Sequence, residues 1–422
     1  MGAIARLSLS TRRSLMFLFA GGLCFWACMA SMLPVFPLYL KDLSATAQEL
    51  GIVMGSFAIG LLAFRPFMGQ LADSRGRKIV LLIGILVAAI APVLYLLIPN
   101  KYLLIGVRIF HGLSIAGFAT AFSALIADIS PPQHRGEVIG TMTLTNPIGM
   151  AIGPLLGDWM LKQEGYAACF WLASTLASLS FLFATQVQAP KLPQFTDSVP
   201  RGSRLADRQT APAPASYFQL LWSDTLRIPT FTMLVVGSAF GILSAFVPLY
   251  LRENAVEVTA SVFYSSAAVM SFAMRAIAGK QSDRFGRGRF ITMGMAAYGI
   301  SMAILWLAHG DKWVIASGMI EGIGGGLFLP VTIALITDRA TPELRGRVFS
   351  LCISGFDLGI FLAGPLLGGV ADQIGYRGLF GVATGIVAIG IVIFMTQCSK
   401  DLRHSLAFSL SDGRDLYALP KN

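Results

Sequence analysis

Long apolar runs alternate along this chain with short polar loops, and twelve of the runs are long enough to cross a bilayer as helices. In hydrocarbon every backbone N–H and C=O must be bonded internally, so a helical span of about 20 apolar residues is the structure such a run predicts. In the first half the expected spans cover 15–39, 48–71, 79–98, 102–127, 137–160 and 167–187. In the second they cover 229–251, 259–281, 290–309, 313–337, 347–371 and 378–398. Between them lies a segment, 188–227, carrying Pro190, Pro193, Pro200, Pro212 and Pro214 among Ser, Arg and Asp. Such a composition reads as a polar linker.

The two halves repeat each other. Asp73-Ser-Arg-Gly-Arg-Lys78 is followed 210 positions later by Asp283-Arg-Phe-Gly-Arg-Gly288. The same offset of 210 relates Arg65 to Arg275, Gly69 to Gly279, Asp128 to Asp338, Arg135 to Arg345 and Gly165-Tyr166 to Gly375-Tyr376. The predicted fold is an all-α integral membrane protein of two pseudo-symmetric six-helix bundles, 1–187 and 228–398, with a cytoplasmic tail at 399–422. Duplicated membrane bundles imply a transporter that works by rocking one half against the other.

Charge fixes the expected orientation. Arg6, Arg12, Arg13, Arg75, Arg77, Lys78, Arg284, Arg287, Arg289, Arg339, Arg345 and Arg347 fall at one end of the spans, against Lys41, Lys101, Lys162, Arg252, Lys312 and Arg377 at the other. Basic loops are retained in the cytoplasm, so both termini are expected inside a cytoplasmic membrane. The formal charge of +10 lies in these loops, which argues against nucleic acid as a partner. Hydrophobic residues at 55% and charged residues at 13% agree with a lipid-embedded chain. Cys24, Cys28, Cys169, Cys352 and Cys398 lie in or beside apolar runs and suggest neither disulfides nor a metal site. No phosphate-binding Gly-x-x-x-x-Gly-Lys loop, His-Glu-x-x-His or Gly-x-Ser-x-Gly element occurs, so neither an ATP-driven pump nor an enzyme is indicated, and no cofactor is expected.

Gly69-Gln-Leu-Ala-Asp73-Ser-Arg-Gly76-Arg77-Lys78, with its degraded copy from Gly279 to Arg287, resembles the loop signature between the second and third spans of the major facilitator superfamily. The resemblance implies a conformational latch formed by Asp73 and Arg77 with Asp128 at the inner end of the fourth span, and Asp283 with Arg287 in the copy. Orientation of the chain is the alternative role for those basic residues. Gly149-Met-Ala-Ile-Gly153-Pro154-Leu-Leu-Gly157 is similar to a signature of the family's exporters of the drug/proton antiporter type, departing at Asp158. Small residues one turn apart allow close helix packing, and Pro154 removes a ladder bond, so the fifth span can act as a hinge. Gly364-Pro365 in the eleventh span reads as its mate.

Ionisable residues inside spans are costly and therefore candidates for function. The candidates are Arg108 and His111 in the fourth span, Glu321 in the tenth and Asp357 in the eleventh, with Arg65 and Arg275 nearer the inner helix ends. Glu321 or Asp357 is expected to carry a coupling proton, with Arg108 and His111 as charge partners or substrate contacts. A carboxylate held away from water binds its proton more tightly, which suits that role. Snorkelling of Arg108 and ordinary packing of His111 are the bland alternatives. Phe25, Trp26, Phe240, Phe246, Phe328 and Phe356 offer apolar contacts but assign no ligand. Together these features predict proton-coupled efflux of a small organic compound by a monomer. A proton symporter or facilitator importing a sugar or other metabolite is the competing expectation.

Overall fold

A computed structural model of the chain describes residues 7–131, 134–188, 217–341, 344–411 and 413–419. Most of the expected linker, 189–216 with its five prolines, lies outside the described residues, as do 1–6 and 420–422 of the expected first bundle and tail. The described residues hold helices and no strand: α1 (Leu9–Ser31), α2 (Phe36–Asp42), α3 (Ala47–Arg75), α4 (Arg77–Leu97), α5 (Leu103–Ile129), α6 (Arg135–Met142), α7 (Thr145–Thr185), α8 (Tyr217–Leu221), α9 (Arg227–Glu253), α10 (Ala260–Phe285), α11 (Arg287–Leu307), α12 (Asp311–Asp338), α13 (Arg345–Gln397) and α14 (Leu402–Leu410).

Among the described residues ten helical stretches are long and apolar enough to cross a membrane, two fewer than the sequence predicts. The difference lies in Arg135–Thr185 and Arg345–Gln397, which run for 51 and 53 residues. A straight helix of that length would reach about 80 Å, against a hydrocarbon core of about 30 Å. Each therefore holds two spans. Gly165 (φ 79°, ψ −169°) and Gly375 (φ 75°, ψ 166°) break them in a backbone conformation that a Cβ would oppose. Gly76 and Gly286, at φ 101° and 92°, turn the chain in the same way between α3 and α4 and between α10 and α11. All four glycines obey the offset of 210, so the repeat is written in the backbone as well as in the loops. In the first span Pro34 stands in a turn at 32–35 that separates α1 from α2.

Within the first half α1 packs on α7, α3 on α5, and α4 on α5 and α7. In the second half α9 packs on α13, α10 on α12, and α11 on α12 and α13. The halves meet where α3 lies on α13 and where α10 lies on α7. Leu182, Leu307 and Ile389 stay more than half exposed on the outer surface, as lipid-facing residues do.

The segment after α13 is folded onto the second half. Helix α14 packs on α11 and α13, and a methyl at Gly288 would lie 2.2 Å from the Phe408 carbonyl. The Arg339 guanidinium, whose side chain is fully buried, donates to both Asp415 oxygens at 2.8 and 2.9 Å and to the Thr225 and Cys398 carbonyls. Removing one partner of a buried pair strands the other charge, at a cost of about 3–5 kcal/mol. Asp415→Asn is accordingly expected to lower the thermal unfolding midpoint of the purified protein, whereas the exposed Asp224→Asn is not.

Candidate functional site

Where the halves face each other the helices enclose a cavity of about 490 Å³, lined from both sides. It is within the range of pockets that take drug-sized molecules. Arg108, His111, Glu321 and Asp357 all line it, although they come from the fourth, tenth and eleventh spans. Trp26, Phe240, Phe328 and Phe356 line it too, whereas Phe25 and Phe246 are fully buried in their own halves.

On the first half's wall the Arg108 guanidinium lies over the rings of Phe36 (5.0 Å) and Phe57 (4.6 Å) and donates to the Met54 carbonyl at 3.3 Å. His111 is 2% exposed, and its Nδ1 lies 2.7 Å from the hydroxyl of fully buried Tyr95. Phe57 meets the imidazole edge-on at 5.3 Å. On the opposite wall Glu321, 9% exposed, lines the cavity together with Tyr298 and with Arg275, its charge neighbour. Arg275 also reaches across the halves to Asn146 Oδ1 at 3.5 Å. Asp357, 4% exposed, pairs with Arg65 of α3 at 2.8 Å, so this ion pair also joins the halves.

Tyr95, Tyr298 and the Arg65–Asp357 pairing were not singled out from the sequence. A tyrosine within a span carries a signal, since a buried hydroxyl needs a partner. The pairing of Arg65 carries none, because it depends on how α3 crosses α13.

One end of the cavity is sealed. There Asp42 accepts from Arg252 of the other half at 2.7 Å and from the Tyr166 hydroxyl at 2.5 Å. Asp372 caps the start of α3 across the same seam, accepting from the Ala47 and Gln48 amides at 2.7 and 3.0 Å. Below these contacts the backbones almost touch. A Cβ on Gly51 would sit 2.3 Å from the Gly364 carbonyl oxygen, and one on Gly364 would sit 1.9 Å from that of Gly51.

Gly364 thus serves a different surface from the motif it resembles. Gly149, Gly153 and Gly157 face α1 within their own half, with Cβ positions 2.6, 2.5 and 2.1 Å from its atoms. The corresponding intra-half contact in α13 falls on Gly355 and Gly359, packed against α9. Counted by the offset of 210, Gly153 corresponds to Ala363 and Pro154 to Gly364. One residue turns a helix by about 100°, which carries Gly364 from its own bundle to the opposite one. Pro154 and Pro365 lie inside α7 and α13.

At the basic end Arg77 pairs with Asp128, and its copy Arg287 pairs with Asp338 at 2.8 Å and Asp283 at 3.1 Å. Each pair ties the start of one helix to the end of another in the same half. Asp73 is exposed, and a methyl at Gly69 would meet open space.

This architecture has known counterparts. The sequence model of the Major Facilitator Superfamily matches residues 18–280 and 254–407. The multidrug resistance protein MdtG of Serratia proteamaculans is 28% identical over 408 residues, covering 92% of this chain and 94% of its own. That of Klebsiella pneumoniae is 27% identical over 383 residues, covering 87% and 89%. Among solved structures the nucleoside transporter NupG superposes with a TM-score of 0.72 at 14% identity, over 93% of this chain and 100% of its own. An auto-inhibited peptide transporter of the POT family gives 0.71 at 14%, over 94% and 96%, and these two establish the fold alone. With a family match running through both bundles and a cavity between them, the chain belongs to the Major Facilitator Superfamily of membrane transporters.

Proposed function

We propose that this transporter is a proton-coupled exporter of small organic compounds, working as a monomer by alternating access in the cytoplasmic membrane. The basic end and both termini then face the cytoplasm, and the sealed end faces outward. The reading rests on one observation above the others: two buried carboxylates, Glu321 and Asp357, share a single cavity with Arg108 and His111. Because the Arg65–Asp357 pair joins the halves, a proton on Asp357 would remove a charge that holds them together at that depth. Binding and release of a proton can then bias which way the cavity opens. The direction is taken from relatives described as multidrug resistance proteins.

The loop pairs Arg77–Asp128 and Arg287–Asp338 are read as the latch, fixing the helix ends that must move together. Residues 1–187 and 228–398 are read as the two moving bodies, and the segment between them as the link.

Direction is the test. Everted vesicles with an acid lumen are expected to accumulate labelled aromatic compounds, and to lose them when an ionophore collapses the pH gradient. Accumulation only in right-side-out vesicles with an acid exterior would make the protein an importing symporter instead.

A further inference from the structure

Three arginines stand in or beside the cavity, and two of them have an acid at hand. Arg65 pairs with Asp357 at 2.8 Å, and Arg275 has Glu321 as its charge neighbour. No ion pair reaches Arg108 among the described residues; it meets the two rings and donates to one carbonyl. Rings stacked on a guanidinium occupy its faces and leave its in-plane N–H groups to bond elsewhere. The Arg108 Nε is such a group, buried and without a partner.

His111 supplies a second donor. The Tyr95 hydroxyl lies 2.7 Å from His111 Nδ1, and the site uses the tautomer in which that hydroxyl donates to the ring. A ring that accepts at Nδ1 carries its hydrogen on Nε2. That Nε2 is also buried and unpartnered, on a residue lining the cavity. The neighbouring wall is apolar: Phe36 and Phe57 lie against the guanidinium, Phe57 also meets the imidazole, and Met29 and Trp26 line the same cavity.

We propose that the cavity selects an organic anion, an apolar ring body bearing one carboxylate or a similar oxyacid group, whose oxygens accept from Arg108 Nε and His111 Nε2. This rests on the cavity being the substrate site of the proposed exporter. It adds the sign of charge that the substrate carries. An uncompensated cation in a poorly hydrated cleft is stabilised most by a ligand that brings the missing negative charge. A cationic compound would find Asp357 already paired with Arg65, and Arg275 as the charge neighbour of Glu321. The anion and the coupling proton occupy different groups on opposite walls, so they are linked through the movement of the halves and need not compete for one atom.

Binding to the full-length protein in nanodiscs, without any gradient, tests this directly. The probes are 2-naphthoate, 2-naphthamide and a naphthylmethyl trimethylammonium ion at neutral pH, read by calorimetry. The carboxylate is expected to bind at least about tenfold more tightly than the amide, the size of a charge-assisted hydrogen bond, and the ammonium most weakly. Arg108→Gln is expected to bring the carboxylate-to-amide ratio to within about twofold. His111→Phe, which keeps a ring beside Phe57 and loses Nε2, is expected to cut it severalfold even if the first variant does not fold. Wild-type binding of the amide or ammonium as tightly as the carboxylate overturns the proposal, as does an unchanged ratio in a folded Arg108→Gln protein. An anion preference with no gradient-driven accumulation would instead retire the export reading and leave the anion site standing.

Discussion

Proteoliposomes carrying Glu321→Gln together with Asp357→Asn are expected to lose all uphill transport, their accumulation ratio falling to one under any imposed pH gradient. A gradient of one pH unit stores about 1.4 kcal/mol per proton, enough to concentrate an exchanged solute tenfold. Two protons per cycle would give about a hundredfold, so the loss is large against any background. Both replacements keep an oxygen at the carboxylate position and cannot take up and release a proton. Glu321→Gln leaves the Arg65–Asp357 bridge untouched, and the Arg65 side chain is 23% exposed, so Asp357→Asn leaves a partly hydrated cation. Counterflow of labelled against unlabelled solute should continue, because exchange at equal concentrations needs no proton. A double variant that still concentrates its substrate when driven by protons alone would end the assignment of either carboxylate as the coupling site.

Much of the architecture is legible from local signals. Apolar runs of the right length mark every span, because lipid forbids an unbonded backbone. Gly76, Gly165, Gly286 and Gly375 mark the turns, because each sits at a φ where other residues are strained. Arg77 and Asp128 can be placed near each other from the family motif, and the structure brings them into an ion pair. The four intramembrane ionisable residues are conspicuous for cost alone, and all four border the cavity.

The rest depends on contacts between residues far apart in the chain. Asp372 reads as an ordinary helix-end acid until α3 is laid beside it with its two free amides. Asp42 and Arg252 are mates under the offset of 210, but a shared register gives equivalent places in two bundles and does not say that the two side chains meet. Arg339 looks like one more topogenic arginine, yet Asp415 lies 76 positions away and folds back to bury it. Gly364 shows the limit most clearly. Its motif matches that of Gly153, but a shift of one residue in the repeat points it at the opposite bundle. Motif spacing records which residues share a face, and the crossing of helices decides what that face meets.

That crossing yields the second large effect. A single methyl at Gly364 is expected to open the sealed end, because its carbon would sit 1.9 Å from the Gly51 carbonyl oxygen and backbone cannot yield as a side chain does. Overpacking of this kind costs about 1–3 kcal/mol, and each 1.4 kcal/mol shifts a two-state population tenfold. The cost falls only on the state in which α3 and α13 touch here, so Gly364→Ala should favour the alternative opening by one to two orders of magnitude. A cysteine placed at Ser244, which lines the cavity, reports this through its rate of labelling by an impermeant maleimide from the outer face. The rate should rise at least about tenfold with Gly364→Ala or Gly51→Ala, and turnover should fall as the return step slows. Gly385→Ala, where a methyl meets open space, is the control. Gly157→Ala separates the mechanisms: its methyl would lie 2.1 Å from the Ser31 carbonyl oxygen inside one bundle. It should lower the unfolding temperature without changing the labelling rate. Equal labelling in the Gly364 and Gly157 variants would mean that the seam between α3 and α13 does not govern which end opens.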